Sequence, residues 1–277
     1  MRDTMRMPKN SPGRGPRLAR NDRISRRQGL GLAGWLLGMA LAAPGAGASI
    51  EALWQAGDGA FEDPVRWIFS EPPASATIPA NDGQDSFRVR LDSDPGVVSV
   101  ARLSSNVSID VLEIGMGDTL ELMDGSRLEI ARGVLLNDGI LRIEGDPLTD
   151  SGGELVFEQD LRLEGSGELR LAGGRVSAGI PTTGRLFHGA GHAITGTGVV
   201  DIGALPFPGG QVDNHGRFEA SSGDSLEIAG QVTNVGELVA SGGSLQVRSS
   251  VLPTTTNLGL ISASSGGRVS IPWRRDS

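Results

Sequence analysis

The chain of 277 residues contains no cysteine and only one lysine, Lys9. The absence of cysteine excludes a disulfide framework. No segment after residue 49 sustains the 3.6-residue apolar spacing of an amphipathic helix, so we expect little helix. Stability must then come from a continuous apolar core and from backbone hydrogen bonds between strands, as repetitive stacks provide.

The first 48 residues have the composition of a secretory signal peptide. Residues 1–27 hold nine Lys+Arg and two Asp, residues 29–43 are uncharged and moderately apolar, and Ala46-Gly-Ala48 is a typical cleavage site. The apolar segment of about 15 residues is shorter than the roughly 20 that span a bilayer, and an uncleaved N-terminal anchor is the alternative. We expect cleavage after Ala48 and export to the periplasm or the exterior.

The route of export stays open. Ser25-Arg26-Arg27 resembles the twin-arginine export motif, but Gly29 stands where that motif usually has Phe. Arginine pairs are common in the basic segments of signal peptides, so the general secretory route is the alternative.

Removal of residues 1–48 leaves an acidic chain. It keeps 16 basic residues (25−9) and 31 acidic residues (33−2), for a net charge near −15. This charge repels nucleic acid and anionic lipid headgroups. We therefore expect no nucleic-acid partner and no membrane insertion of the mature chain.

A repeat of 20 to 23 residues occupies the C-terminal third. Asn214-His-Gly-Arg-Phe-Glu-Ala returns as Asn234-Val-Gly-Glu-Leu-Val-Ala and as Asn257-Leu-Gly-Leu-Ile-Ser-Ala, and Asn137-Asp-Gly stands further upstream. Asn and Gly tolerate the left-handed backbone of a sharp corner, and aligned amides in stacked coils can form a ladder. The pattern predicts a structural turn ladder of Asn137, Asn214, Asn234 and Asn257, with Gly139, Gly216, Gly236 and Gly259.

Short alternating strands separate these corners. Strands at this spacing fit an antiparallel sandwich or a β-helix, and only the β-helix requires Asn-x-Gly at one position of successive coils. We predict an all-β fold, a single-stranded right-handed parallel β-helix (β-solenoid) of about eight coils. The predicted organisation is a signal peptide at 1–48, an N-terminal cap and loop region at 49–96, and a β-helix domain with a short C-terminal cap at 97–277.

Aromatic residues concentrate ahead of the first repeat. Trp54, Phe61 and Trp67 lie within 13 positions of one another (67−54). An open solenoid exposes core and unpaired strand edges at its ends, so these residues are predicted to form an aromatic N-terminal cap. A stacking platform for sugar rings is the functional alternative. At the other end, Pro272 and Trp273 suit a C-terminal cap.

The histidines are the first candidates for chemistry. His188 and His192 have the i, i+4 spacing of a zinc pair, but Gly-Ala-Gly separates them where the zinc motif has Glu, so two surface imidazoles in a turn are favoured. Asp213 and His215 lie two apart on one strand and could act as acid and base. Their equivalents in the next repeats are Thr with Val and Thr with Leu. We expect no metal site, no catalytic site and no cofactor.

Other catalytic patterns are missing from the sequence. Pectin-degrading β-helices use clustered Asp or Arg–Lys groups, and the chain after residue 48 has no lysine and no compact Asp pair. Calcium-loop spacing is absent, and the Gly-x-Gly segments do not open helices that would bind phosphate.

The order of motifs resembles the secreted β-helix repeat proteins of bacteria. A Trp-rich opening and a Pro-rich loop precede Leu112-Glu-Ile-Gly115, Thr119-Leu-Glu-Leu122 and the Asn-x-Gly coils. That group includes autotransporter-passenger-like adhesin domains and PEP-CTERM-sorted surface proteins, so the resemblance implies a surface location. The sequence departs from both, because no C-terminal anchor or membrane barrel follows Ile271; release, truncation and anchoring by another protein remain alternatives.

These features predict an exported, non-enzymatic structural or adhesive protein that presents a repetitive β face to a surface or carbohydrate ligand. A carbohydrate-active β-helix, a polysaccharide lyase or hydrolase, is the first alternative and rests on fold analogy. A truncated autotransporter passenger is the second. Two carboxylates within about 10 Å of each other in a groove would favour the enzyme.

Overall fold

Short β-strands make up most of the described chain. The computed structural model describes residues 49–91, 96–146, 152–179, 184–203, 210–248 and 255–271. The predicted signal peptide, with Ser25, Arg26, Arg27 and the cleavage site, lies outside these residues, as do Pro272 and Trp273. Within the described ranges the only helical element is a 3-10 turn at Pro64–Arg66, and none of these residues forms a helix able to span a membrane. The expectation of little helix is confirmed.

The described residues contain 23 strands. The N-terminal strands are β1 (Ile50–Trp54), β2 (Gly59–Ala60), β3 (Trp67–Phe69), β4 (Phe87–Leu91) and β5 (Val100–Leu103). The strands of the repeat region are β6 (Asn106–Ile114), β7 (Thr119–Leu122), β8 (Arg127–Asn137), β9 (Ile140–Glu144), β10 (Glu154–Phe157), β11 (Leu161–Glu164), β12 (Glu168–Ala178), β13 (Arg185–His188), β14 (Ala193–Asp201), β15 (Gln211–Asn214), β16 (Arg217–Ser221), β17 (Ser225–Ala229), β18 (Gln231–Asn234), β19 (Glu237–Ser241), β20 (Ser244–Arg248), β21 (Thr256–Asn257), β22 (Leu260–Ser264) and β23 (Arg268–Ser270).

Parallel pairing between successive turns of the chain arranges the strands into three faces. Face 1 contains the first halves of β6 and β8, then β10, the second halves of β12 and β14, and β17, β20 and β23. Face 2 contains β1, β4, the second halves of β6 and β8, and β11, β13, β15, β18 and β21. Face 3 contains β2, β5, β7, β9, the first halves of β12 and β14, and β16, β19 and β22.

One coil is one pass through face 1, face 2 and face 3. About seven passes are complete: coil 1 (106–122), coil 2 (127–143), coil 3 (154–172), coil 4 (175–196), coil 5 (198–221), coil 6 (225–241) and coil 7 (244–264). The predicted β-solenoid is confirmed, with about seven turns rather than about eight, because β1–β5 supply only partial turns. The right-handed sense stays a prediction.

Period-2 alternation in each strand places one set of side chains in a shared core. On face 3 the inward column runs through Leu120, Leu141, Leu169, Ile194 and Phe218, each fully buried and each in register with the next. Burying one such side chain contributes about 1.5–3 kcal/mol, so every added coil extends the core by a layer.

The corner between face 2 and face 3 becomes shorter along the solenoid. Between equivalent positions it spans seven residues in coil 1 (112 to 119), five in coils 2 to 4 (135 to 140, 163 to 168, 188 to 193) and three in coils 5 to 7 (214 to 217, 234 to 237, 257 to 260). The Asn-x-Gly repeats are therefore the tightest version of this corner.

The aromatic residues close the N-terminal end. Trp67 packs edge-on against Trp54 and Phe61, with ring centroids 5.0 and 4.8 Å apart, and Trp54 and Phe61 are fully buried. Strand β3 pairs antiparallel with β1 and covers the edge of face 2. The aromatic cluster is thus the predicted cap, and its buried rings offer no platform for sugars.

Parallel stacking begins before residue 97, within the predicted cap and loop region at 49–96. Strands β1 and β4 already pair in parallel on face 2, and β4 continues onto β6. The described residues all fall within one compact unit, Ala46–Ser277.

Candidate functional site

A buried chain of polar side chains follows the corner between face 2 and face 3. It consists of six side chains, here called the corner chain: Asn137, His192, His188, Asn214, Asn234 and Asn257. The successive contacts are Asn137 Nδ2 to His192 Nε2 (2.9 Å), His192 Nδ1 to His188 Nε2 (3.2 Å), His188 Nδ1 to Asn214 Oδ1 (2.7 Å), Asn214 Nδ2 to Asn234 Oδ1 (2.7 Å) and Asn234 Nδ2 to Asn257 Oδ1 (2.6 Å). All but Asn257 are at most 1% exposed.

Backbone carbonyls fix the orientation of three of the amides. The Nδ2 atoms of Asn137, Asn214 and Asn234 also donate to the carbonyls of Glu168 (3.0 Å), Glu237 (3.2 Å) and Leu260 (3.4 Å). A carbonyl only accepts, so a flipped amide would place oxygen against oxygen. Each Nδ2 must therefore point toward the C-terminal coils.

These orientations determine the tautomers of both histidines. Asn214 Oδ1 can only accept, so His188 Nδ1 carries the proton and His188 Nε2 accepts from His192 Nδ1. His192 Nε2 then accepts from Asn137 Nδ2. Both imidazoles are neutral Nδ1–H tautomers, and every bond of the corner chain runs in one direction. Aligned bonds of this kind polarise one another in a low-dielectric core.

Burial keeps both imidazoles uncharged. It lowers the pKa of His188 to about 4, and it lowers the pKa of His192 to about 3 with a further contribution from the neighbouring His188. The favoured expectation of two surface imidazoles is wrong: His188 is 0% and His192 is 1% exposed. Every ring nitrogen has a partner, so neither is available to a metal, and no group of three metal-binding side chains occurs in the described ranges.

The predicted amide ladder is present in coils 5 to 7. Asn214, Asn234 and Asn257 stand in register, whereas Asn137 lies two positions beyond its equivalent, Leu135, and joins the ladder through the histidines. The wider corner of coil 2 accounts for this offset.

The glycines of the Asn-x-Gly corners are required for close approach. A Cβ on Gly236 would lie 2.1 Å from the carbonyl oxygen of Gly216, and one on Gly259 would lie 2.1 Å from that of Gly236. The expectation of left-handed backbone is wrong here: Gly139, Gly216, Gly236 and Gly259 are not among the positive-φ residues. Stacked corners leave no room for a side chain, which is a tighter constraint than the φ angle.

The acid–base pair predicted on β15 is not assembled. Asp213 is 4% exposed, and its carboxylate binds the Arg185 guanidinium and accepts from Gln211 Nε2 at 2.8 Å. His215 lies at the tip of the corner against the Phe187 ring, 5.1 Å between centroids. Asp213 therefore neutralises an arginine and is not positioned to activate the imidazole.

A shallow groove of about 320 Å³ marks the corner between face 3 and face 1. Glycines form its floor, and Glu154, Arg175 and Glu227 line it. Glu154 accepts from Arg127 (3.2 Å) and Ser177 (2.6 Å), and Glu227 pairs with Arg248 (3.1 Å). The Arg175 side chain has no ion pair or hydrogen bond with the described residues, so its guanidinium faces the groove without a partner among them.

The carboxylates of this groove are far apart. Glu154 and Glu227 stand three coils from each other in the register of face 1, about 14 Å at the usual strand spacing. Glycosidase carboxylates lie about 5–10 Å apart. The spacing of Glu154 and Glu227 is therefore wider than that of a hydrolase pair. Between these two carboxylates, each already paired with an arginine, the groove exposes the Arg175 guanidinium.

Ion pairs tie the outward side chains of neighbouring coils together on all three faces. Examples are Arg127–Glu154 on face 1 (3.2 Å), Arg88–Glu113 on face 2 (3.1 Å) and Arg102–Glu121 on face 3 (2.8 Å). These side chains are part-exposed, so each pair stabilises the fold by no more than about 1 kcal/mol. Their main effect is to order the surface.

We predict that Arg217→Ala leaves the fold nearly unchanged. Arg217 pairs with Glu219 (2.8 Å) and Glu237 (3.5 Å), but it is 44% exposed. Solvent screening limits the expected loss in the free energy of unfolding to less than about 1 kcal/mol, measured by urea titration. A loss above about 2 kcal/mol would contradict this view of the outward positions as replaceable.

The corner chain and the groove are the two candidate sites of the described chain. The first is sealed and serves stability; the second is open and carries an arginine that pairs with none of the described residues. Comparisons of the chain with protein-family models, curated proteins and solved structures find no match.

Proposed function

We propose that the protein is an exported, non-enzymatic structural or adhesive component of a cell surface or matrix. The observation that supports this function is that inward and outward positions have different roles: inward side chains stabilise the fold, and outward side chains form the accessible surface. Inward residues form the core and the corner chain, in which hydrogen bonds join each polar side chain to the next. Outward residues form an ordered lattice of cross-coil ion pairs and are free to vary between coils.

An ordered array of outward side chains can make many weak contacts with one extended ligand. Strand spacing sets the outward side chains about 4.8 Å apart along the axis, and the cross-coil ion pairs restrict their rotamers before any ligand binds. Preorganisation of this kind lowers the entropic cost of binding an extended surface or polymer.

Two groups of outward side chains are not engaged in the cross-coil ion pairs and can contact a ligand. One is the groove with Arg175, which can attract a carboxylate or sulfate of an acidic polysaccharide. The other is an exposed apolar stripe on the corner between face 2 and face 3, formed by Val235, Leu258 and Leu260 at 43%, 75% and 52% exposure. Together they favour adhesion to an amphipathic matrix through short-range contacts: the net negative charge of the chain opposes long-range attraction to an anionic polymer, so Arg175 binds its anion locally, where salt screens the other charges.

Retention on immobilised acidic and neutral polysaccharides, with products assayed in the eluate, tests this function. We expect retention on the acidic polymers without chain cleavage, and a several-fold weaker retention for Arg175→Ala. Arg217→Ala is the matched control, because it removes an arginine already engaged in ion pairs.

Two outcomes would overturn the proposal. Release of shortened or unsaturated saccharides would establish a carbohydrate-active enzyme instead. Absence of retention on every polysaccharide and on whole cells would exclude adhesion through these faces.

A further inference from the structure

The corner chain changes its chemistry at coil 4. Coils 5 to 7 place an amide at each ladder position, but coil 4 places His188 there and adds His192 across a corner two residues longer. Coil 3 contributes no side chain to the corner chain: Leu163 occupies its ladder position, and a Cβ on Gly165 would lie 2.2 Å from the carbonyl oxygen of Asn137. His192 therefore reaches Asn137, two coils away, directly.

We propose that His188 and His192 form an acid-sensitive joint in the solenoid. At neutral pH the pair connects Asn137 of coil 2 to the amide ladder of coils 5 to 7. Protonation of the pair breaks this connection and loosens the stacking of coil 4 on coil 5, while coils 1 and 2 remain stacked.

The donor and acceptor pattern explains why the pair cannot take up protons without cost. A proton on His188 Nε2 faces the Nδ1–H of His192, so two donors oppose each other at 3.2 Å. His192 can relieve this only by moving its own proton to Nε2, which then faces the Nδ2 donor of Asn137. Flipping Asn137 would place its Oδ1 against the carbonyl of Glu168, now 3.0 Å from Nδ2. The backbone carbonyl of His192 favours the charged form of His188, but its effect is smaller than the penalty from burial.

The surroundings offer the pair no compensating negative charge. His188 packs edge-on against Phe218, with centroids 5.0 Å apart, and Gly216 closes the corner above it. The titratable groups that act on the pair are His215, which opposes a charge on His188, and His188, which opposes a charge on His192. The amides of Asn137 and Asn214 are uncharged, so a protonated pair would be an unpaired buried charge.

The sign of the pH dependence follows from burial. The pKa values of His188 and His192 are lowered from 6.5 to about 4 and about 3, so the unfolded chain binds protons that the native chain excludes. The stabilising contribution is complete above about pH 6.5 and is lost as the pH falls toward 4 and then 3. With two sites, the ratio of folded to unfolded molecules decreases by up to about 100-fold per pH unit in that window.

Hydrogen exchange on the full chain at pH 7 and pH 4.5, corrected for intrinsic rates, tests where the structure loosens. We expect protection in residues 184–196 and 211–221 to decrease at least about 10-fold more than in residues 106–143. Equal changes in both segments would overturn the proposal.

Variants separate the histidines from other acid effects. His188→Asn places an amide in register with Asn214, and His192→Gln keeps an acceptor near Asn137. Each is expected to shift the onset of local exchange to a pH lower by about half a unit or more. His215→Gln is the matched control: it removes the exposed imidazole of the same corner and with it only a minor repulsion on His188, so it should shift the onset by much less than either histidine variant. An onset at the wild-type pH in both histidine variants would overturn the proposal.

Imidazole ¹⁵N spectra of the unmodified protein remove any dependence on the folding of variants. The chain has three histidines, so selective labelling gives an assignable spectrum. We expect His188 and His192 to be neutral Nδ1–H tautomers at pH 6.5, and to stay neutral until the amides of coil 4 begin to exchange. An Nε2–H tautomer or a charged ring of His188 or His192 in the intact fold would overturn the proposal of an acid-sensitive joint.

Discussion

Replacing Asn214 with alanine is expected to lower the free energy of unfolding by about 3–5 kcal/mol. Asn214 is the central amide of the corner chain, and its loss leaves the His188 Nδ1–H, the Asn234 Oδ1 and the Glu237 carbonyl without their partner. Each buried group left unsatisfied costs about 1–3 kcal/mol. Urea titration followed by far-UV circular dichroism measures the change.

Asn257→Ala is the matched control, because it deletes the same atoms at the C-terminal end of the chain of amides. Asn257 is only half-buried, and Asn234 Nδ2 keeps the Leu260 carbonyl at 3.4 Å when it is gone. The expected loss is about 1 kcal/mol. Equal losses for the two variants would mean that the corner chain is a set of independent bonds.

Gly236→Ala is expected to cost about 3 kcal/mol or more, or to prevent stacking of the C-terminal coils. Its Cβ would lie 2.1 Å from the carbonyl oxygen of Gly216 and 2.6 Å from the backbone carbon of His215. Both obstacles are backbone atoms, so no side-chain rotation relieves the overlap and coils 5 and 6 must separate. Thermal unfolding and the loss of the His188 imidazole environment report the change.

Gly223→Ala distinguishes crowding from backbone strain. Gly223 has a φ of +86°, and no atom lies within 4 Å of the position that an added methyl group would take, whereas Gly236 has no positive φ. We expect Gly223→Ala to cost about 1–2 kcal/mol, from the left-handed conformation alone. A Gly236→Ala variant no less stable than Gly223→Ala would contradict the close-approach argument.

The amide ladder of coils 5 to 7 was predictable because stacking demands the same residue at the same position of each coil. Asn214, Asn234 and Asn257 recur at intervals of 20 and 23 residues, close enough for direct alignment. Asn137 has the Asn-x-Gly motif but does not occupy the ladder position of its coil, because the corner of coil 2 is two residues longer than the corners of coils 5 to 7. The length of the corner depends on how the strands of face 2 and of face 3 each align with those of the neighbouring coil, and the repeat interval alone does not specify these two alignments.

The role of the histidines was missed for a related reason. His188 precedes Asn214 by 26 positions, outside the repeat interval, so the period does not align them. The available signal was the alternation itself: Leu186-Phe-His188 has the same inward–outward–inward order as Val212-Asp-Asn214. The Gly-Ala-Gly segment that favoured an exposed turn in fact allows the corner to bring His192 back to His188.

The stacking of β4 on β1 was not visible in the sequence, because it crosses a long insertion. Phe87 pairs with Ile50 in parallel although 37 positions separate them (87−50). The alternation of β4 was visible in the sequence, but nothing in a 20-residue period connects it to β1.

The stepwise shortening of the corner between face 2 and face 3 limits how this chain can gain or lose length. Coils 5 to 7 have identical corners, so a duplicated or deleted unit there finds neighbours of matching geometry. Coil 4 makes a different contact on each side. His188 donates to Asn214 of coil 5, and His192 accepts from Asn137 of coil 2 across the wider corner. The solenoid is therefore modular within each block of equal corners, coils 2 to 4 and coils 5 to 7, and a unit duplicated within a block needs no new corner geometry.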